Sequence, residues 1–394
     1  MSKLQNIPYG RQDISDDDIA AVTAVLKSEW LTQGPAVPAF ESAVAALCNV
    51  SHAVAVNSAT SALHIACLAL DVGPGDLVWT SPNTFVASAN CARYCGAELD
   101  FVDIDPHTLC LSAEVLAKKL AYHRATGKQL PKVLIPVHFG GQSCDMAAIH
   151  QLSIDYGFRI IEDASHAIGA HYKGEPVGYC RFSDICIFSF HPVKIITSGE
   201  GGMAVTNDAT LAKRMMLLRS HGITRDEHDM EYASPGPWYY EQLALGLNYR
   251  MTDIHAALGL SQLSKLDEFV TRRNELARVY DNAFAHLRIG LQSVPAWTSS
   301  ARHLYVIRVN ESERHTLFTN LRAQGIGVNM HYSPVYLQPY YRRLGFGPGY
   351  CVEAERYAQE AISLPMFATL TDEQQSCVIA AVTEFITTSL GKAA

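Results

Sequence analysis

Two short apolar segments that each lead into polar side chains constrain this fold more than any other feature of the sequence. Residues 159–161 (RII) lead into Asp163, and residues 185–190 (ICIFSF) lead into Lys194. Apolar runs of this length, bounded by glycines and turn residues, are typical of strands buried on both faces in parallel sheets. Ligands of such sheets bind at the carboxyl ends of the strands. We therefore predict that the Asp163 carboxylate and the Lys194 amine face a common ligand.

A lysine and an aspartate in this arrangement suit the cofactor pyridoxal 5′-phosphate (PLP). Lys194 precedes a glycine-rich loop at 199–202 (GEGG), after which a strand resumes. The lysine amine condenses with the aldehyde, and the carboxylate keeps the pyridine nitrogen protonated so that the ring takes up electrons. The structural alternative is that Asp163 and Lys194 only form a salt bridge at the edge of the sheet.

Both segments resemble the DegT/DnrJ/EryC1/StrS sugar aminotransferases, a group within the fold type I PLP enzymes. Residues 162–169 (EDASHAIG) are similar to the family's motif of an acidic pair, small residues, His or Gln, and Gly. Residues 189–194 (SFHPVK) and the glycine loop resemble its lysine loop. The resemblance implies an α/β fold with a large domain, whose mostly parallel sheet carries helices on both faces, and a smaller C-terminal α/β domain. It also implies that Lys194 and Asp163 are catalytic.

A phosphate site is expected where residues 57–62 (NSATSA) begin a helix. Free N–H groups and hydroxyls at a helix N-terminus attract a phosphate, although a plain capping role explains the same pattern. Taken with the resemblance, this pattern assigns the phosphate of PLP to Ser58, Ala59, Thr60 and Ser189.

The resemblance implies further cofactor contacts and a partner subunit. Phe85 occupies the position of the aromatic residue that stacks on the pyridine ring, and His166 that of the His or Gln beside it. Residues 246–251 (GLNYRM) match a G-x-N-x-R-M segment, whose asparagine, here Asn248, reaches the cofactor phosphate of the neighbouring subunit. A homodimer with shared active sites follows. His138, at the end of a predicted strand, either faces the cofactor or only fills space.

Within this family, the resemblance points to one group of enzymes and hence to one class of substrate. Residues 57–63, 137–142 and 188–194 are most similar to the transaminases of pseudaminic acid biosynthesis, which aminate C4 of a UDP-linked 4-keto-6-deoxy-N-acetyl-altrosamine. L-Glutamate is the expected amino donor. Related enzymes act on the glucosamine epimer or on dTDP-sugars with similar motifs. The expected substrate contacts are Thr32, His331 and Tyr332, with Tyr340, Arg342 and residues 303–305 as further candidates. Thr32 also fits a plain helix stop, and the other residues also fit the packing of the small domain.

The same residues argue against two other functions, a dehydratase and a catalytically silent sensor. The dehydratase branch of this fold has a histidine in place of the lysine, so Lys194 argues against it. A catalytically silent sensor of this fold should have lost Lys194, Asp163 or the phosphate site, and all three are intact.

Composition bears on the partners, the location and the cysteine chemistry of the protein. The 394 residues include 31 basic and 39 acidic side chains without a basic cluster, which argues against a nucleic-acid partner. The N-terminus lacks the apolar centre of a signal peptide, and no apolar run approaches the ~18 residues of a membrane span, so a cytoplasmic protein is expected. Ten cysteines without a C-x-x-C pair predict core residues rather than disulfides or a metal site.

The predicted organisation is a PLP-binding domain over residues 1–260 and a smaller domain over residues 261–394. A helix over 262–285 bridges the two domains. The polar and aromatic segment 224–240 is predicted to be an irregular surface segment, which is either a substrate lid or an inert loop.

Overall fold

The computed structural model describes residues 6–392, so residues 1–5 and 393–394 of the predicted domains lie outside the described chain. The helices are α1 Asp16–Leu26, α2 Ala36–Cys48, α3 Ala59–Ala69, α4 Ala87–Tyr94, α5 Ala113–Thr126, α6 Met146–Tyr156, α7 Ala209–Arg219, α8 Asp253–Leu263, α9 Leu266–Phe284, α10 Glu311–Ala323, α11 Pro339–Arg342, α12 Val352–Glu360 and α13 Asp372–Lys392. The strands are β1 His52–Val56, β2 Leu77–Thr80, β3 Glu98–Phe101, β4 Val133–Ile135, β5 Arg159–Asp163, β6 His171–Tyr172, β7 Glu175–Pro176, β8 Ile185–Ser189, β9 Gly202–Thr206, β10 Ile223–Thr224, β11 Glu241–Gln242, β12 Gly290–Leu291, β13 Thr298–Ser299, β14 Tyr305–Arg308 and β15 Ala361–Leu364.

A central sheet of seven strands, in the order β1-β9-β8-β5-β4-β2-β3, carries the functional residues. Strands β3, β2, β4, β5 and β8 pair in parallel, and β9 runs antiparallel to both β8 and β1. The mostly parallel sheet predicted from the sequence is therefore confirmed. Asp163 is the last residue of β5, and β8 ends at Ser189, so both apolar segments deliver their polar residues to one edge.

The sheet has a hydrophobic core on each face, as its alternating side chains require. Ile185 and Ile187 of β8 pack in one core, while Cys186 and Phe188 of the same strand pack in the other. Helix α3 contributes to the first core, whereas α2 contributes Phe40 to the second.

The C-terminal part builds a third core around the antiparallel sheet β12-β14-β15. Its buried side chains come from that sheet and from helices α9, α10 and α13. Ile7 also belongs to this core, and it pairs with Ile326 in a parallel bridge. The N-terminal segment thus reaches the C-terminal unit.

The continuous helix predicted over residues 262–285 is wrong, because the chain turns between α8 and α9. Lys265 lies at the turn, and its Nζ binds Oδ2 of the fully buried Asp18 at 2.6 Å. Burial alone would raise the pKa of Asp18, but this contact and hydrogen bonds from Ser15, Ser261 and Gln262 together lower it to about 2. The turn brings Lys265 against the start of α1, which periodicity within one helix does not reveal.

Residues 6–392 contain neither a helix that could cross a membrane nor a cluster of metal ligands. None of the helices there combines the length and apolar character that a membrane crossing requires. The same residues contain no group of three or more His, Cys, Asp or Glu side chains placed to hold a metal ion. All ten cysteines are free thiols, and most of them are buried.

Candidate active site

A cavity of about 1030 Å³ lies at the carboxyl ends of β5 and β8, where the two apolar segments place their polar residues. It brings together most of the side chains singled out in the sequence. The predicted site residues that line it are Ser58, Ala59, Thr60, Phe85, Asp163, His166, Ser189, Lys194, His331 and Tyr332.

The Asp163 carboxylate is buried and fixed from two sides. Oδ2 accepts a hydrogen bond of 2.5 Å from the Ser88 hydroxyl, and Oδ1 accepts one of 3.1 Å from the Ser165 backbone N–H. Hydrogen bonds of this kind fix the orientation of a carboxylate. Since both oxygens are held by neutral donors, the group presents a negative charge in the cavity instead of serving a salt bridge.

Lys194 is half-buried and lines the same cavity, on the loop between β8 and β9. Burial lowers the pKa of its amine to about 8, and the nearby Asp163 charge opposes that shift. About a tenth of the amine is therefore uncharged at pH 7. An uncharged amine is the form that attacks an aldehyde or accepts a proton.

The N-terminus of α3 forms another part of the cavity wall. Ser58 is its N-cap, and its Oγ accepts a hydrogen bond of 3.1 Å from the Ser61 N–H. The N–H groups of Ala59 and Thr60 lie in the first helical turn, where an α-helix offers them no partner. Gly202 permits this placement, since a Cβ there would lie 2.4 Å from the carbonyl carbon of Ser58.

A directed hydrogen-bond chain runs along one wall. The Gly140 backbone N–H lies 3.3 Å from Nδ1 of His166, and Nε2 of the same ring lies 3.3 Å from the Tyr332 hydroxyl. Because a backbone N–H only donates, Nδ1 accepts and the ring proton resides on Nε2. Tyr332 then accepts from His166, which leaves its own O–H free to donate. Burial, with Lys194 and His331 nearby, lowers the pKa of His166 well below its usual range.

Residues distant in sequence complete the cavity. His331 is nearly buried, and its Nδ1 lies 2.8 Å from the Ser363 hydroxyl. Burial lowers the pKa of His331 to about 4, with a smaller contribution from Lys194. Tyr9 also lines the cavity, so the N-terminal segment takes part in the site.

Phe85 and His138 differ in their positions: Phe85 lines the cavity, whereas His138 is buried behind it. Phe85 is 59% exposed and lines the cavity, so its ring is available to a ligand rather than packed in the core. His138 is fully buried, and its Nε2 lies 2.6 Å from Oε2 of Glu162. Nδ1 of His138 accepts from the Cys144 N–H, so His138 belongs to the structural network behind the cavity.

Several predicted residues lie outside the cavity in this chain. Thr32 pairs with Thr252 in an isolated bridge, and Asn248 is exposed beside Ser220. The hydroxyl of Tyr305 donates to Asp281 in the C-terminal core. Tyr340 and Arg342 also lie outside the set of residues that line the cavity, whereas His303 belongs to it.

Sequence reasoning missed Ser88, which orients Asp163. It lies in α4, and nothing in the segment around it distinguishes it from an ordinary small helix residue. Its one available signal was the position of α4 directly after β2, near the same edge of the sheet. His303, by contrast, was among the further substrate candidates named from the sequence, and its ring neighbours that of His166 with a centroid separation of 4.3 Å.

These side chains match what PLP requires. The amine, the fixed carboxylate, an exposed aromatic face and a helix N-terminus with hydroxyls converge on one cavity. Lys194 would hold the aldehyde, Asp163 the pyridine nitrogen, and the start of α3 with Ser189 the phosphate. When bound, the cofactor supplies an electron sink for breaking bonds at the carbon that carries the amino group.

Comparisons with known proteins agree with this site. The chain matches the model of the DegT/DnrJ/EryC1/StrS aminotransferase family over residues 12–383. It is 38% identical to the spore coat polysaccharide biosynthesis protein SpsC of Bacillus subtilis (strain 168), over 96% of this chain and 97% of that protein.

Two solved structures are similar over nearly the whole chain. Helicobacter pylori PseC, an aminotransferase involved in the biosynthesis of pseudoaminic acid, has a TM-score of 0.89 at 30% identity, covering 98% of this chain and 100% of that one. Spr1654 of Streptococcus pneumoniae in its PLP-form has a TM-score of 0.87 at 31% identity, covering 98% and 99%. The chain therefore belongs to the DegT/DnrJ/EryC1/StrS family of PLP-dependent sugar aminotransferases.

Proposed function

We propose that this enzyme transfers an amino group from L-glutamate to C4 of a UDP-linked 4-keto-6-deoxy-N-acetyl hexosamine. The main support is the make-up of the cavity, whose lining within residues 6–392 includes no arginine. Fold type I aminotransferases for two amino acids characteristically bind carboxylates with forked arginine contacts. Apart from Asp163, Lys194 and Glu200, the polar side chains that line this large cavity are hydroxyl, amide and imidazole groups, which suit the hydroxyl, carbonyl and amide groups of a sugar instead.

The similarity to PseC supports this choice of sugar. That enzyme acts in the biosynthesis of pseudoaminic acid, and the match covers 98% of this chain and 100% of that one. The resemblance of residues 57–63, 137–142 and 188–194 to the same group of transaminases points to the same substrate.

We assign two roles to Lys194. It attaches the cofactor, and once released as a free amine it moves a proton to or from the carbon that carries the amino group. A general base works best when its pKa lies near the working pH, and the pKa of about 8 meets this condition. Asp163 keeps the pyridine nitrogen protonated throughout.

We also propose a homodimer in which Asn248 serves the partner subunit. Asn248 is exposed and lies outside its own chain's cavity, although its neighbour Tyr249 accepts the Asn57 N–H beside the phosphate site. A side chain next to the phosphate site but outside it is well placed to enter the corresponding site of a second subunit.

A second candidate is amination of a different UDP- or dTDP-linked keto-sugar. The identity to SpsC, 38%, is higher than the 30% identity to PseC, and SpsC is named for spore coat polysaccharide biosynthesis. Both candidates share the cofactor chemistry and differ in the sugar.

A panel assay separates the two candidates. The purified enzyme, PLP and L-glutamate are incubated with UDP- and dTDP-4-keto sugars, and 2-oxoglutarate and amino sugar nucleotides are quantified. We expect the highest kcat/KM with the UDP-4-keto-6-deoxy-N-acetyl-altrosamine. Preference for a dTDP-sugar would favour the second candidate. Efficient transamination of small keto acids, with no turnover of any nucleotide sugar, would overturn both.

A further inference from the structure

His303 is a buried imidazole on the cavity wall whose Nδ1 has no protein partner in the described part of the chain. The residue is 5% exposed and lines the cavity, and its Nδ1 is buried without a hydrogen bond. Buried polar atoms in native proteins are nearly always hydrogen-bonded, so an orphan next to a binding cavity requires an explanation. The neighbouring histidines differ in this respect, since His166 and His331 both have protein partners.

The backbone that carries His303 is fixed on two sides. Nη1 of the buried Arg273 contacts the carbonyl oxygens of Arg302 and His303 at 3.3 Å each, and that of Met366 at 3.0 Å. On the other side the turn at Gly141 packs directly against this segment, because a Cβ there would lie 2.9 Å from the His303 nitrogen. These contacts fix the backbone of His303, and with it the position of the side chain, in the cavity wall.

The charge state of His303 limits what it can bind. Burial lowers the pKa of the ring well below its usual range, and the positive charges of Lys194 and Arg273 add to that effect, as do His166 and His331. The ring is therefore neutral near pH 7, with one donor and one acceptor nitrogen. Such a ring suits a hydroxyl or an amide better than a phosphate or a carboxylate, which would favour a charged partner.

We propose that His303 hydrogen-bonds a neutral polar group on the sugar ring of the acceptor, a hydroxyl or the N-acetyl amide, and so contributes to sugar specificity. This inference rests on the proposed function. Packing alone does not account for His303, because a phenylalanine would fill the wall without burying an unpaired nitrogen. Tyr305, which belongs to the same candidate segment 303–305, does not compete for this role, because its hydroxyl is bonded to Asp281 and its ring packs in the C-terminal core.

The test compares two ligands on the PLP-loaded enzyme by isothermal titration calorimetry. The probes are UDP and UDP-4-keto-6-deoxy-N-acetyl-altrosamine, without an amino donor, so that binding is measured in the absence of turnover. In His303→Phe we expect the Kd of the sugar nucleotide to rise about tenfold or more, with the Kd of UDP unchanged within about twofold. His303→Asn, which retains a donor and an acceptor, should recover part of the loss. His315→Phe, on the exposed side of α10, is the matched control.

Three results would overturn the proposal. The first is an unchanged Kd for the sugar nucleotide in His303→Phe, and the second is an equal loss for UDP and the sugar nucleotide. The third is a changed affinity or absorption spectrum of bound PLP with intact sugar binding, which would assign His303 to the cofactor. If His303→Phe does not fold, the smaller His303→Leu replaces it. Failure of the wild-type enzyme to bind any nucleotide sugar would instead refute the proposed function, and the inference with it.

Discussion

The hydroxyl of Ser88 donates a 2.5 Å hydrogen bond to the carboxylate of Asp163, across 75 residues of sequence. The Thr84 hydroxyl lies 2.6 Å from the Ser88 oxygen and completes a short chain behind the acid. Because Ser88 donates to Asp163, its oxygen accepts from Thr84. Helix α4 and the loop before it therefore hold the charge that strand β5 supplies.

Replacement of Asp163 by Asn should lower kcat at least about tenfold. The change keeps the shape of the side chain and removes its charge, and the lost interaction with a protonated nitrogen amounts to ~1.5–3 kcal/mol. Steady-state kinetics and the absorption spectrum of bound PLP measure the effect. Near-normal turnover with an unchanged spectrum would show that Asp163 does not hold the pyridine nitrogen.

Ser88→Ala should have a smaller effect in the same direction, because the carboxylate keeps its charge and its second hydrogen bond. We expect a loss of roughly threefold to tenfold in PLP affinity, from one charge-assisted hydrogen bond that solvent partly replaces. Equilibrium titration with PLP measures it, and Ser376→Ala on the exposed face of α13 serves as the control. Equal affinity in the two variants would remove Ser88 from the site.

Lys194 should be the lysine that carries PLP, and it should titrate far below an ordinary lysine. Borohydride reduction of the yellow holoenzyme is expected to fix the cofactor to the peptide that contains Lys194. In the cofactor-free protein, burial places the pKa near 8 instead of 10.5, so about a tenth of the amine is free at pH 7.

Competitive acetylation followed by mass spectrometry measures that pKa. Labelling of Lys194 should be half-maximal near pH 8, and Asp163→Asn should shift the midpoint to lower pH, because the Asp163 charge raises the pKa of the amine. A midpoint near 10.5, or cofactor attached to another lysine, contradicts the assignment.

Gly202→Ala should weaken PLP binding at least about tenfold, because the added Cβ would lie 2.4 Å from the Ser58 carbonyl carbon and 2.5 Å from the Ala59 nitrogen. Both are backbone atoms at the start of α3, so the phosphate site itself must move. PLP titration is paired with thermal melting of the cofactor-free protein, which reports any loss of stability. Gly347→Ala, with open space around the new methyl group, is the matched control.

Mixed dimers of Lys194→Ala and Asn248→Ala chains should regain native sites. If Asn248 serves the partner's cavity, one site of the mixed dimer loses both residues while the other retains both. Co-expressed and purified heterodimers should therefore recover about half of the wild-type activity per dimer, with native PLP affinity at one site. Heterodimers of Lys194→Ala with Asp163→Asn carry one defect in each site, so they should contain no native site and stay at or below the low activity of Asp163→Asn. Mixed dimers that form without recovery would show that Asn248 does not act across the interface.

Local sequence was sufficient to predict the sheet and the residues that follow its strands directly. The apolar runs of β5 and β8 fix burial on both faces, and chain continuity then places Asp163 and the Lys194 loop at one edge. Ser58 was predictable for the same reason, since a cap acts on N–H groups two or three residues away. Such features depend on neighbours along the chain, which the sequence displays directly.

Tertiary packing decided which distant side chains meet these residues and which remain unpaired. Ser88 reaches Asp163 because the start of α4 lies at the edge of the sheet where β5 ends, and His303 is left without a partner for Nδ1 because Arg273 and Gly141 fix its backbone in the wall. The charge of Lys194 likewise depends on burial, which is a property of the folded cavity and not of the loop sequence. Hydrogen bonding and desolvation act over a few ångströms in space, so residues far apart in the chain acquire these properties only when the fold brings them together.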